Sequence, residues 1–85
     1  MGMANVRVYG ADWCPLTQDA LEHLDRLGVE YEYIDIDEDR AAAKWVADHN
    51  NGREKKPTID VDGEVVSEPS SHKLEELLRA KRVLH

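Results

Sequence analysis

The chain has 85 residues, 41% hydrophobic and 34% charged, with a formal net charge of −7 at pH 7. That length supports one core with a narrow stability margin, and the acidic balance argues against nucleic acid or an anionic membrane, because both need a cationic face. No apolar run approaches the roughly 20 residues of a membrane helix, and Met1-Gly2-Met3-Ala4 lacks the basic and apolar regions of a secretion signal.

Val6-Arg7-Val8-Tyr9 reads as a buried first strand ending at Gly10. Pro15 suits the first turn of a helix, where its missing N–H costs little. Ala20, Leu21, Leu24 and Leu27 then recur at threes and fours along one face, and Gly28 is a C-terminal stop. Tyr31, Tyr33, Ile34 and Ile36 predict a second strand. Asp37 or Asp39 caps a helix carrying Ala42, Trp45, Val46 and His49 on one face, and Asn50-Asn51-Gly52 ends it. Beyond the loop from Arg53 to Pro57, Thr58–Val61 and Glu64–Ser67 predict two strands joined by Asp62-Gly63, a type I′ hairpin signal. Ser70 or Ser71 caps a last helix with Leu74, Leu77 and Leu78 turned inward. The order is β-α-β-α-β-β-α, an α/β domain spanning 1–85 with a four-stranded mixed sheet and three helices. The strand–helix–strand unit is expected to be parallel with a right-handed crossover.

Cys14 is the only cysteine, and it stands between the first strand and the first helix in Ala11-Asp12-Trp13-Cys14-Pro15-Leu16-Thr17. A helix N-terminus offers unpaired N–H groups and partial positive charge, which lower a thiol pKa from about 8.5 by ~1–5 units. Arg53, Lys55 and Lys56 are expected in the loop facing the sulfur, adding positive charge, while Asp12 opposes it. The competing reading is a small buried hydrophobe; the strand–helix turn with Trp13 before and Pro15 after favours a reactive thiol. Thr17 donates to the sulfur or helps cap the helix, two roles that can hold together, and it cannot attack a disulfide on Cys14. Trp13 lines a substrate groove or shields the sulfur, two readings of equal weight. A lone cysteine forms no internal disulfide, so a reducing cytoplasm is the expected compartment.

From the residues alone, Pro57 is an ordinary trans proline at a strand start, since only about 5–6% of X–Pro bonds are cis. Ser70 and Ser71 open a helix whose N–H groups either bind a carboxylate or are simply capped. His23, His49, His72 and His85 lack metal-ligand spacing and are expected at the surface, so no metal site is expected. The acidic residues between Glu30 and Asp39 read as a solvated face.

Three features coincide: the cysteine at the strand–helix junction, Pro57-Thr58-Ile59 opening the third strand, and Ser67-Glu68-Pro69-Ser70 before the last helix. Together they resemble the thioredoxin fold, specifically its glutaredoxin-like proteins. Tyr31 to Ser71, with Asp35-Ile36-Asp37, Arg40-Ala41-Ala42-Ala43, Asn50-Asn51-Gly52 and Glu68-Pro69-Ser70-Ser71, is most similar to the mycoredoxin and monothiol glutaredoxin type. The resemblance implies a thiol–disulfide oxidoreductase acting on mixed disulfides between proteins and a small thiol, with Cys14 as nucleophile and Thr17 beside it. It implies a low-molecular-weight thiol such as glutathione or mycothiol as co-substrate and no tightly bound cofactor; a monomer is expected. The substrate is expected against Trp13, Pro15, Arg53, Lys55, Lys56, Pro57, Glu68, Ser70 and Ser71, with Pro57 cis and the Lys56 backbone beside the sulfur.

The chain departs from the pattern at three places. Thr17 replaces the usual second Cys or Ser, which removes a dithiol route. Lys55-Lys56 stands for the usual Thr-Val before the proline, and Glu68-Pro69 for the usual Gly-Gly, which leaves the small thiol's identity open. Two other functions remain in view. One is an iron–sulfur cluster carrier at a dimer interface, against which Pro15-Leu16-Thr17 departs from the usual Gly-Phe-Ser. The other is a redox-inactive binding module.

Overall fold

Val6 and Val8 alternate with Arg7, and that two-residue period buries both valines while leaving the arginine in solvent. The computed structural model describes residues 5–84, so the reading of Met1–Ala4 and the placement of His85 lie outside the described residues. Its elements are β1 (Val6–Gly10), α1 (Pro15–Leu27), β2 (Glu32–Asp35), α2 (Arg40–His49), β3 (Thr58–Val61), β4 (Glu64–Ser67) and α3 (Ser71–Ala80). This is the expected order, on a mixed sheet arranged β2-β1-β3-β4. β1 runs parallel to β2 and antiparallel to β3, and β3 and β4 form the hairpin. Asp62 and Gly63 both have positive φ, as a type I′ turn requires.

Register decides what meets at the end of β1. Gly10 pairs with Asp35 at the end of β2, Tyr9 with Thr58 at the start of β3, and Thr58 with Ser67 at the end of β4. The β1–α1 turn, the β2–α2 turn, the segment before β3 and the turn after β4 therefore gather at one edge.

α1 and α3 cover one face of the sheet and α2 the other. Val6, Val8, Ile59 and Val61 of the sheet pack with Leu24, Leu74, Leu77 and Leu78; Leu24 and Leu78 are fully buried, where truncation to Ala costs about 2–5 kcal/mol. A smaller cluster of Tyr9, Ile36, Ala43 and Val46 holds α2, with Trp45 stacked on Tyr9 at 4.5 Å between ring centroids.

The caps are local and follow the sequence. Gly28 adopts φ 71 after α1, a left-handed conformation that glycine takes without steric cost. Asp39, not Asp37, caps α2 by accepting from the Ala42 N–H at 3.0 Å. Ser70 caps α3 through the Lys73 N–H at 3.1 Å, and Ser71 is its first residue. β2 is shorter than expected. Tyr31 and Ile36 fall outside it, although the Ile36 N–H still reaches the Gly10 carbonyl at 2.9 Å.

A half-buried polar seam joins α2 to the hairpin. The Asn50 amide donates to the Val46 carbonyl at 2.8 Å and to Thr58 Oγ1 at 3.3 Å, and Ser67 Oγ donates to Asn50 Oδ1. Thr58 Oγ1 in turn donates to the Lys55 carbonyl at 2.9 Å, which fixes the segment leading into Pro57. Among the described residues no helix is long and apolar enough to cross a membrane.

Candidate functional site

The chain leaves β1 through a turn closed by the Cys14 N–H on the Ala11 carbonyl at 3.1 Å. Cys14 takes the N-cap position of α1 in extended conformation, with no side-chain cap, and Pro15 fills the first helical position. The first-turn N–H groups of α1 are left for the sulfur. Burial pushes the Cys14 thiol up. The Thr17 N–H, the Thr17 hydroxyl, the Leu16 N–H and the Lys56 ammonium push it down further, so the pKa falls below its ordinary value. Cys14 is only 8% exposed, yet what surrounds the sulfur is polar.

Thr17 is buried and does not cap the helix. Its Oγ1 accepts from the Ala11 N–H at 3.4 Å while its hydroxyl serves the sulfur. This packing depends on Gly10. A Cβ there would lie 2.5 Å from both Thr17 Cγ2 and Thr17 Oγ1.

Trp13 is 65% exposed. Its indole N–H donates to Asp37 Oδ2 at 2.7 Å, and the Lys56 ammonium sits 5.4 Å from the ring centroid, within cation–π reach. The Tyr33 hydroxyl donates to Asp12 Oδ1 at 2.7 Å. Burial, that bond and the charges of Asp12, Asp35 and Asp37 push the Tyr33 pKa well above its usual value. Asp12 was expected to oppose the thiolate; engaged by Tyr33, it is not among the groups acting on the sulfur.

The Lys56–Pro57 peptide is cis. That corrects the reading from the residues alone and agrees with the resemblance. The Lys56 carbonyl lies 3.9 Å from Cys14 Sγ, and the Pro57 carbonyl accepts from the Glu68 N–H at 2.7 Å. Of the three cations expected at the sulfur, Lys56 alone acts on it. The Lys55 carbonyl is held by Thr58 and the Arg53 N–H by the Asn50 carbonyl at 3.1 Å, so the seam anchors their backbone.

Beyond Pro57 runs a groove of about 190 Å³, bounded by Leu16, Asp19, Ala20 and His23 of α1, by Glu68, Pro69, Ser70 and Ser71, and by Leu74. It carries the Asp19 and Glu68 carboxylates and no lysine or arginine. His23 was expected at the surface, but its side chain is only 12% exposed. Its Nε2 lies 3.2 Å from Glu75 Oε1, outside hydrogen-bonding geometry and with no other partner.

No cluster of three or more His, Cys, Asp or Glu among the described residues is arranged to hold a metal. Cys14 offers one of the four sulfur ligands that an iron–sulfur cluster takes. Asp19, Tyr33, Asp37 and His23 escaped the sequence reading as site residues. Their only sequence signals were strand, cap and helix-face positions, which say nothing about a neighbour 20 residues away.

A thiol at a helix N-terminus after a central strand, with a cis proline across from it, defines a thiol protein of the thioredoxin fold. The chain belongs to the glutaredoxin family, whose family model matches residues 6–66. It is 44% identical over 57 residues to mycoredoxin 1 of Corynebacterium glutamicum, covering 67% of this chain and 70% of that protein. The crystal structure of a glutaredoxin from Archaeoglobus fulgidus matches with a TM-score of 0.78 at 34% identity, covering 92% of this chain and 89% of that one. The holo form of glutaredoxin C1 from Populus tremula x tremuloides, 20% identical with a TM-score of 0.66 over 91% of this chain and 76% of that one, shares the fold. Family membership and a single cysteine are consistent with a thiol redox role.

Proposed function

We propose that the chain is a monothiol thiol–disulfide oxidoreductase that releases proteins from mixed disulfides with a small thiol. The observation that carries this reading is the Cys14 sulfur at the start of α1, acidified by two backbone N–H groups, a hydroxyl and an ammonium. The Cys14 thiolate attacks the small-thiol sulfur of the mixed disulfide. That disulfide breaks, a new one joins Cys14 to the small thiol, and the departing protein sulfur takes a proton from water. A second small thiol, as its thiolate, attacks the small-thiol sulfur of the adduct, regenerating Cys14 and leaving the disulfide of two small thiols. The same N–H groups stabilise Cys14 as attacker and as leaving group. Thr17 offers no sulfur, so no internal disulfide competes.

In this reading Trp13, Pro15, Lys56, Pro57, Glu68, Ser70 and Ser71 surround the substrate, with the Lys56 main chain able to pair with an extended peptide. Mycothiol is the co-substrate the reading favours. One support is the mycoredoxin relative. The other is a groove with two carboxylates and no cation, a poor host for the carboxylates of glutathione. The protein acts as one glutaredoxin-like domain, a monomer, in a cytoplasm.

The test is intact mass after incubation with the disulfides of glutathione, mycothiol and bacillithiol. An adduct on Cys14, strongest with mycothiol, is expected, and Cys14→Ser abolishes turnover. Turnover in that variant equal to wild type overturns the proposal. An unreactive thiol with an ordinary pKa favours a binding module, and visible absorbance after anaerobic reconstitution favours a cluster carrier.

A further inference from the structure

Packing buries or half-buries the large apolar side chains of this domain with two exceptions among the described residues, Trp13 at 65% and Leu16 at 50% exposure. They stand one position before and two after Cys14. Trp13 leans toward the β2–α2 turn, where Asp37 holds its indole, and Leu16 borders the groove on the side of α3. Two exposed large apolar side chains on the flanks of one reactive group mark a contact surface.

The charges around that surface are one-sided. Asp12 and Asp37 adjoin Trp13, and Asp19 and Glu68 share the groove with Leu16. None of these four carboxylates forms an ion pair among the described residues, whereas Arg7, Arg26, Arg40, Lys44, Lys73 and Lys81 are paired with carboxylates elsewhere. The cation at the surface is Lys56, over the Trp13 ring. A second copy of this chain, itself at −7, would bring like charge to like.

We propose that the Trp13–Leu16 surface docks a basic, apolar protein segment. The segment's mixed disulfide presents its small-thiol sulfur to Cys14, an apolar neighbour rests on Trp13 or Leu16, and lysine or arginine faces Asp12, Asp19, Asp37 and Glu68. This rests on the reading of Cys14 as the exchanging thiol and names the substrate class for it. The attraction acts on encounter and fades with salt, because exposed charges are screened beyond a Debye length.

The test uses short peptides identical except for Lys, Ser or Glu beside a leucine-flanked cysteine, each carrying a mixed disulfide with mercaptoethanol. Second-order rates of peptide-thiol release by the full chain are compared with the rate for hydroxyethyl disulfide, a small neutral control. The expected order is Lys, then Ser, then Glu, spanning roughly tenfold at about 0.01 M salt and converging near 1 M. Asp19→Asn narrows the Lys-to-Glu ratio by roughly twofold, and Leu16→Ser slows the peptides more than the control. If the control fails to react, the proposed function falls. If the control reacts while the peptides show no order, the reverse order or no salt dependence, the docking proposal is overturned. Concentration-dependent dimerisation that masks Cys14 overturns it as well.

Discussion

The Trp13 indole N–H bonds to Asp37 Oδ2 at 2.7 Å across 24 positions of sequence, and the same ring carries the Lys56 ammonium at 5.4 Å. One side chain thus stands between an acidic turn and the cation that acts on Cys14. Lys56→Gln is expected to raise the Cys14 pKa, because a nearby cation favours the thiolate and its loss moves ionisation to higher pH. Alkylation rates measured across pH should show the midpoint shifted upward, with the rate below it falling roughly twofold to tenfold. An unchanged midpoint would remove Lys56 from the site.

Thr17→Val tests the hydroxyl. Valine keeps the branched shape but leaves the Ala11 N–H without its acceptor and the sulfur without its hydroxyl donor. The expected result is a higher Cys14 pKa together with a stability loss of about 1–3 kcal/mol in denaturant melts.

Thr17→Cys asks a different question of the same position. A second sulfur where the hydroxyl now reaches Cys14 should resolve a Cys14 adduct internally, seen in intact mass as loss of the small thiol to leave a species two hydrogens lighter than the reduced protein. Persistence of the adduct would show that the geometry forbids closure.

Gly10→Ala drives a methyl to within 2.5 Å of Thr17, which is buried against it. Overpacking of this kind costs about 1–3 kcal/mol. A displaced Thr17 should also make the thiol less acidic, so thermal melting and alkylation rates are expected to fall together.

Tyr31 and Tyr33 make the fold sensitive to alkali. Burial and the Asp25 and Asp12 carboxylates hold the two pKa values above the ordinary 10.0. Unfolding in base therefore releases protons. The stability from neutral tyrosine is full below pH 10.0 and is lost as pH rises toward the folded-state values. Denaturant midpoints should drop above pH 10.0, and less steeply for Tyr33→Phe.

Legibility in the sequence followed distance along the chain. Gly28, Ser70 and the Asp62-Gly63 turn act within a few residues, and each was readable from its own neighbours. The choice between Asp37 and Asp39 as cap was not, because both carry the same side chain. The deciding partner, Trp13, arrives only through the parallel pairing of β1 with β2. Arg53, Lys55 and Lys56 looked equivalent in a charged loop; the Asn50–Thr58–Ser67 seam separates them by fixing that loop's path. The cis proline needed the family resemblance. His23 read as a surface residue because its helical spacing gave no hint that α3 covers it.

A chain with one cysteine has no disulfide form that belongs to itself alone. Whenever Cys14 leaves the thiol state by exchange, it carries a passenger molecule. The occupancy of that state then tracks the abundance of the passenger, not a fixed internal potential. Under the proposed exchange chemistry, such a protein reports on, and is governed by, the composition of its thiol pool.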